Sequence, residues 1–383
     1  MWLDAFSDRY IHPKMCPFIY HSSKYDSFAR IKPLFAYEGI KFCIDTGLPI
    51  NVHKMWIEHT FEPSRYRKPV STTMFKKLLK LIDRLSPNDE VNKISRYFWF
   101  KINRIRYGTP HLIPACLLDF FPSLEKTCEY KSLYQILAEH NIRYVWKEPK
   151  LGVEEPSLIG SIPRLLKRYD VVFAKLNSLD RLGHKYGPSS YILQRRVRYF
   201  DELLQVLTKK LRKHDILIVM SEHGMVPVTH HFDLLSFLKE KGLRFGHHYI
   251  GFIGATYASF WFEDEKYKNL AKKELNALSI GKFLTSRDKA SLGIDKLGNK
   301  YGNEIFVVEE HCVIFPEFYH WRQPPKGMHG YAFSKYDMPI FLIYSNASLS
   351  LRKDMIDFTE IMPTILRLLD LPLPPHVESK SLI

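Results

Sequence analysis

Three short segments of this 383-residue chain set histidine beside glycine, two of them with a carboxylate close by. They are Asp180-Arg181-Leu182-Gly183-His184, Ser221-Glu222-His223-Gly224-Met225 and Gly327-Met328-His329-Gly330-Tyr331. Imidazole and carboxylate are the ligands that zinc and similar divalent ions take, and glycine lets the backbone turn tightly beside them. A further carboxylate, Asp4, follows a very short apolar start. Each segment alone is a weak signal, because a lone His next to Gly is more often a hydrogen-bonded structural residue. His230, His231, His247 and His248 are secondary candidates for metal or substrate contact, with surface or structural roles as the alternative.

The first two segments follow apolar runs, and the third precedes one. In open α/β sheets ligands bind at the carboxyl ends of the strands, so these are the places where side chains can converge. Residues 170–176 read as an apolar strand, and 216–220 as a fully apolar run of the kind found in buried parallel strands. Residues 132–140 read as an amphipathic helix, 142–146 as a strand and 162–168 as helical. Ser190 can cap a helix whose stripe is Val197, Phe200, Leu204, Leu207 and Leu211, spaced three and four apart. A strand at 339–344 and a helix at 358–369 complete a βαβ pattern. Asp4 ends a first strand with only Met1, Trp2 and Leu3 before it, so either that strand is very short or the natural start lies upstream.

Two stretches break the alternation. Residues 52–128 are aromatic and basic without a clear period, and 240–325 are strand-rich, with candidates at 257–262, 305–308 and 313–315. The reading is one α/β core (1–51, 129–239 and 326–383) carrying an aromatic/basic insertion (52–128) and a strand-rich cap insertion (240–325). Lys101, Arg104 and Arg106 in the first insertion could hold the rest of a phosphate ester, or simply form a solvated face. The formal charge of +15 draws anions. Charge alone names no substrate, and it is the only feature favouring nucleic acid. Five cysteines without a CxxC pair suggest neither a disulfide framework nor a thiolate zinc site. The start lacks a signal-peptide pattern, and the longest uncharged stretch, 245–262, falls short of a bilayer span. The expectation is a cytoplasmic protein with no membrane span.

Taken in order, Asp4, Asp180, His184, Glu222, His223 and His329, closed by Pro363-Thr364-Ile365-Leu366, resemble the alkaline phosphatase superfamily in its type I phosphodiesterase/nucleotide pyrophosphatase branch. The resemblance implies an alkaline-phosphatase-like sandwich, with a mostly parallel central sheet flanked by helices. It also implies two divalent metal ions, zinc first with manganese or iron as alternatives, clamping a phosphoryl group during in-line displacement. Asp180 and His184 occupy the family's D-x-x-G-H, followed here by Lys185-Tyr186-Gly187-Pro188, and His329 occupies its G-x-H-G-Y. These three would hold one ion, and Asp4, Glu222 and His223 the other. The usual S-D-H-G-M reads Ser221-Glu222-His223-Gly224-Met225, so Glu222 departs from the expected Asp, and its extra methylene shifts the carboxylate.

The nucleophile slot departs further. Family members carry Ser or Thr at the start of a helix that runs into T-G-x-x-P, here Thr46-Gly47-Leu48-Pro49, and counting back places Tyr37 in that slot. Two roles are open to it. A metal ion could lower the phenol pKa from about 10 and give an attacking phenolate. Alternatively the ring packs or ligates without attacking, and water activated at the metals takes its place. The sulfatase branch is not favoured, because no Cys or Ser stands in a C/S-x-P-x-R context; Cys43 lies in Cys43-Ile44-Asp45-Thr46. The expected function is a two-metal phosphodiesterase or nucleotide pyrophosphatase acting on a small phosphate ester or nucleotide. The alternatives are a catalytically silent member that binds metal or a phosphorylated ligand, and a phosphotransferase or mutase of the same superfamily.

Overall fold

The computed structural model describes residues 1–25, 27–36, 38–57, 129–149, 154–320, 322–334, 338–345 and 349–383, with 77–79, 81–82, 85, 91 and 94–98. Tyr37 and the cluster Lys101, Arg104 and Arg106 lie outside the described residues. Two compact units make up the chain: Met1–Met55 with Cys128–Val228 and Pro325–Ile383, and Trp56–Thr127 with Thr229–Pro324. The two stretches read above as separate insertions fall together in the second unit, which also takes 229–239.

Strands and helices are numbered along the whole chain. In the first unit the strands are β1 (Trp2–Leu3), β2 (Phe28–Ile31), β3 (Tyr144–Lys147), β4 (Val171–Leu176), β5 (Leu217–Met220) and β6 (Val226–Pro227). In the second they are β7 (His230–Phe232), β8 (Ile250–Ile253), β9 (Tyr257–Trp261), β10 (Gly281–Phe283), β11 (Glu304–Val308) and β12 (Cys312–Ile314). The chain then returns to the first unit with β13 (Gly327–Met328), β14 (Ile340–Tyr344) and β15 (Met355–Ile356). A seven-stranded sheet in the order β15-β2-β14-β5-β1-β4-β3 forms the centre of the first unit. Only β14 runs against its neighbours; the other strands are mutually parallel.

Helices of the first unit are α1 (Pro17–Ser22), α2 (Glu38–Thr46), α3 (Ile50–His53), α4 (Leu133–Glu139), α5 (Glu155–Leu165), α6 (Ser178–Tyr186) and α7 (Tyr191–Thr208). The second unit carries α8 (Leu234–Glu240), α9 (Glu265–Asn276) and α10 (Ser286–Ser291), and α11 (Ile361–Leu368) closes the first. Ser190 caps α7 by accepting from the Leu193 N–H, and of the expected stripe Val197, Phe200, Leu204 and Leu207 are buried, whereas Leu211 lies past the end of the helix and is partly buried. Ser132 and Gln135 form a reciprocal capping box at the start of α4. Helix α5 starts earlier than the expected 162–168, because Pro156 sits in its first turn, where a fixed φ is already helical.

Apolar packing follows the alternation of β4. Ala174 and Leu176 join Leu3, Val197, Phe200 and Leu204 in one core cluster. Phe173, one residue out of phase, packs against Leu133, Ile136, Leu137, Met362 and Leu366 in another. A period of two therefore sends odd and even residues of β4 into different layers.

The second unit holds a four-stranded antiparallel sheet in the order β10-β11-β9-β8 and a parallel pair, β12 with β7. Strands β9, β11 and β12 account for the candidates at 257–262, 305–308 and 313–315. Among the described residues no helix is long and apolar enough to cross a membrane. Cys16, Cys43 and Cys312 are buried free thiols, and Cys116 and Cys128 lie outside the described residues.

Candidate metal centre

Strand register brings three chain segments to one level. Trp2 of β1 lies opposite Lys175 of β4 and Met220 of β5, so all three strands finish side by side. The Asp4 N–H donates to the Leu176 carbonyl oxygen at 3.0 Å, which continues the ladder one step past β1. Ser221 locks the same edge: its hydroxyl donates to the Phe6 carbonyl oxygen at 2.7 Å and accepts from the Ile340 N–H at 2.9 Å. It is fully buried and engaged on both sides, which makes it a clamp between segments.

Beyond β4 the chain enters α6, where Asp180 and His184 stand one turn apart and therefore share a face. His329 follows β13, which pairs antiparallel with β6. Glycine is required where these pieces meet. A Cβ on Gly327 would sit 2.7 Å from the Gly183 carbonyl oxygen and 3.0 Å from Pro188 Cδ. That closeness lets His184 Nδ1–H donate to the Gly327 carbonyl oxygen at 2.9 Å, which leaves Nε2 facing the site.

His184 Nε2 lies 3.1 Å, and His329 Nε2 3.5 Å, from Asp180 Oδ1. That oxygen is buried, yet it receives no hydrogen bond. Two imidazole nitrogens within 3.5 Å of a buried carboxylate oxygen that receives no hydrogen bond make an arrangement a cation resolves. Asp4 Oδ1 is likewise buried without a hydrogen bond, 3.2 Å from His223 Nε2. Two ligand groups result, Asp180 with His184 and His329, and Asp4 with Asp180 and His223; within each, the ligand atoms lie within 4.8 Å of one another. The rings of His223 and His329 stack across the groups with centroids 3.5 Å apart.

Electrostatics agree with a cation-seeking site. Burial works to raise the Asp180 and Asp4 carboxyls, but His184 beside the first and Lys175 beside the second bring both down to about 2. Burial opposes a proton on His223, yet Asp4 raises that group to about 10, and Asp180 raises His184 in the same way. His329, buried and facing two other imidazoles, is held well below the usual imidazole value. Burial and Asp4 push the Glu222 carboxyl above the ordinary range.

The structure thus brings together Asp4, Asp180, His184, His223 and His329. Glu222 belongs to neither ligand group among the described residues; its Oε1 accepts from Lys175 Nζ at 2.7 Å instead. His230, His231, His247 and His248 lie in the second unit and join no ligand group among the described residues. Lys175 is the residue that sequence reasoning missed, since the apolar character of 170–176 marks a strand and gives a single lysine within it no role. The available signal was a lone charge near the end of a strand buried on both faces.

A mostly parallel seven-stranded sheet with helices is the alkaline-phosphatase-like fold, as the structural neighbours show. Human ectonucleotide pyrophosphatase/phosphodiesterase 5 superposes with a TM-score of 0.68 at 17% identity, over 98% of this chain and 95% of that one. An inactive form of the murine protein in complex with AMP gives 0.68 at 16% identity over the same shares. The family model for type I phosphodiesterase / nucleotide pyrophosphatase matches residues 64–332, and the chain belongs to that family. Among curated relatives, GPI ethanolamine phosphate transferase 3 of Saccharomyces cerevisiae is 26% identical over 65 residues, 17% of this chain and 6% of that protein. The catalytic subunit of the Homo sapiens counterpart is 32% identical over 57 residues, 15% of this chain and 5% of its own length. This chain therefore matches only a small fraction of those relatives.

Proposed function

We propose that the chain hydrolyses a small phosphodiester or nucleotide in a reaction that depends on a divalent metal ion held by Asp180, His184 and His329. The observation that carries this reading is the buried Asp180 Oδ1, which receives no hydrogen bond although the Nε2 atoms of His184 and His329 lie 3.1 and 3.5 Å away. A divalent ion bound there supplies Lewis-acid polarisation of a phosphoryl oxygen. Oxygen and nitrogen ligands suit zinc first and manganese next. Asp180 supplies the negative charge that retains the ion, and the Gly327 carbonyl fixes the His184 tautomer and ring direction. Asp4 and His223 line the adjoining side, and the surplus of positive charge on the whole chain raises the local concentration of anionic esters. AMP, held by the murine structural neighbour, supports a nucleotide as the substrate class.

A second reading, transfer of the phosphoryl-bearing group to an alcohol, is favoured by the transferase identity of the curated relatives. Product analysis with an added alcohol separates transfer from hydrolysis. The direct test incubates Zn²⁺- or Mn²⁺-loaded protein with bis(p-nitrophenyl) phosphate and with a nucleotide diester. Turnover is expected, and His184→Ala or His329→Ala should lower it by at least about a hundredfold. Absence of turnover with either metal and either ester refutes the reading.

A further inference from the structure

Lys175 is the one charged residue of β4, on a strand whose other residues serve the core. Its Nζ lies 2.7 Å from Glu222 Oε1 and 3.3 Å from Asp4 Oδ2, and the Trp2 ring covers it with the centroid at 5.0 Å. The register holds Lys175 opposite Trp2, so the ammonium is delivered to this point by the ladder itself. Two of the three side chains that the family pattern assigns to a second ion are thus already bonded to a cation built into the chain.

We infer that the Lys175 ammonium takes the place of the second divalent ion, so that the centre operates with one metal at Asp180, His184 and His329 and one fixed positive charge. This rests on the metal-site reading above. Three departures fit together under it. Glu222, one methylene longer than the usual Asp, reaches the ammonium directly. Glu222 is absent from both ligand groups among the described residues. Finally, the Lys175 ammonium already lies 3.3 Å from Asp4 Oδ2, so a second dication would have to share Asp4 with a like charge.

The test is metal stoichiometry on the full chain, with no turnover in the readout. Metal-stripped protein is dialysed against Mn²⁺ or Zn²⁺, and bound ions are counted by elemental analysis. Electron paramagnetic resonance of the Mn²⁺ form then reports whether two ions are close enough to couple. Wild type is expected to bind one ion per chain with an uncoupled Mn²⁺ signal. Lys175→Met and Lys175→Gln are expected to bind two, with coupling. Two variants are used so that a folding defect in one leaves the other to decide, and the wild-type count needs neither. Two ions in wild type, or one ion in both folded variants, overturns the inference while leaving the metal-dependent function standing. No ion at all in wild type overturns the function reading beneath it.

Discussion

Pairing Lys175 with Glu222 makes a prediction about the metal-free protein that requires no substrate. At 2.7 Å and an effective dielectric constant of about 20, the bare attraction is roughly 6 kcal/mol. Desolvation of two buried ions offsets much of it, so the pair is worth little net compared with an apolar replacement. Breaking it from one side is a different matter. Lys175→Met strips Glu222 of its bonded ammonium and leaves it beside Asp4 with only His223 as a neighbouring positive charge, and the cost is about 3–5 kcal/mol. Glu222→Gln leaves Lys175 its contact with Asp4, so the cost is smaller, about 1–3 kcal/mol. The double variant relieves the repulsion and should cost about 2–3 kcal/mol less than the sum of the two single variants. Thermal unfolding of the full chain in chelator at neutral pH measures this, each kcal/mol moving Tm by roughly 2–4 °C in a unit of this size. Additivity within about 0.5 kcal/mol would refute the pairing as described.

Three further outcomes are expected. Gly327→Ala places a Cβ against the Gly183 carbonyl oxygen, so α6 and β13 must part. Stability should fall by about 1–3 kcal/mol and metal affinity with it, read by denaturant unfolding and by titration calorimetry. Ser221→Ala strands the Phe6 carbonyl and the Ile340 N–H in a buried position, at about 2–4 kcal/mol in total, whereas Ser221→Cys should keep part of that loss from appearing. Metal binding must displace the proton that Asp180 holds on His184, so affinity should rise about tenfold per pH unit at all pH below the raised His184 value and level off once His184 is neutral. The metal-free protein should show the opposite slope. A raised folded pKa contributes stability fully below 6.5, and that contribution is lost as pH climbs through the raised value. Affinity independent of pH between about 5.5 and 9 would count against the His184 assignment.

Much of the centre was legible because its chemistry is carried by residue type. Asp180, His184, His223 and His329 sit beside glycines next to apolar runs, and the strand-end rule sends such residues to one edge of the sheet. The capped helix after Ser190 and the buried strand before Ser221 were equally plain, since period and cap agree. What a neighbouring strand contributes was not legible. Lys175 acquires its meaning only from the register that sets it opposite Trp2 and across from Glu222, and register is a property of pairing that no local pattern states. Glu222 shows the same limit: its departure from Asp was visible, its Lys175 partner was not. The start of α5 was missed despite a signal, because Pro156 in the first turn marks a beginning as well as a break.

The strand that ends in Asp4 is flanked on both sides by strands that arrive much later in the chain. Phe6 and Ser221, which fasten β1 to the end of β5, are 215 residues apart. At a ribosomal pace of about 5–20 residues per second, that separation amounts to roughly 10–40 s before this fastening can form. Gly327, whose carbonyl orients His184, comes 143 residues after it. On the proposed reading, ion capture waits on contacts of very high sequence separation and belongs to the last stage of assembly. A growing chain arrested before residue 327 would carry several of the ligands and still have no place to keep a metal.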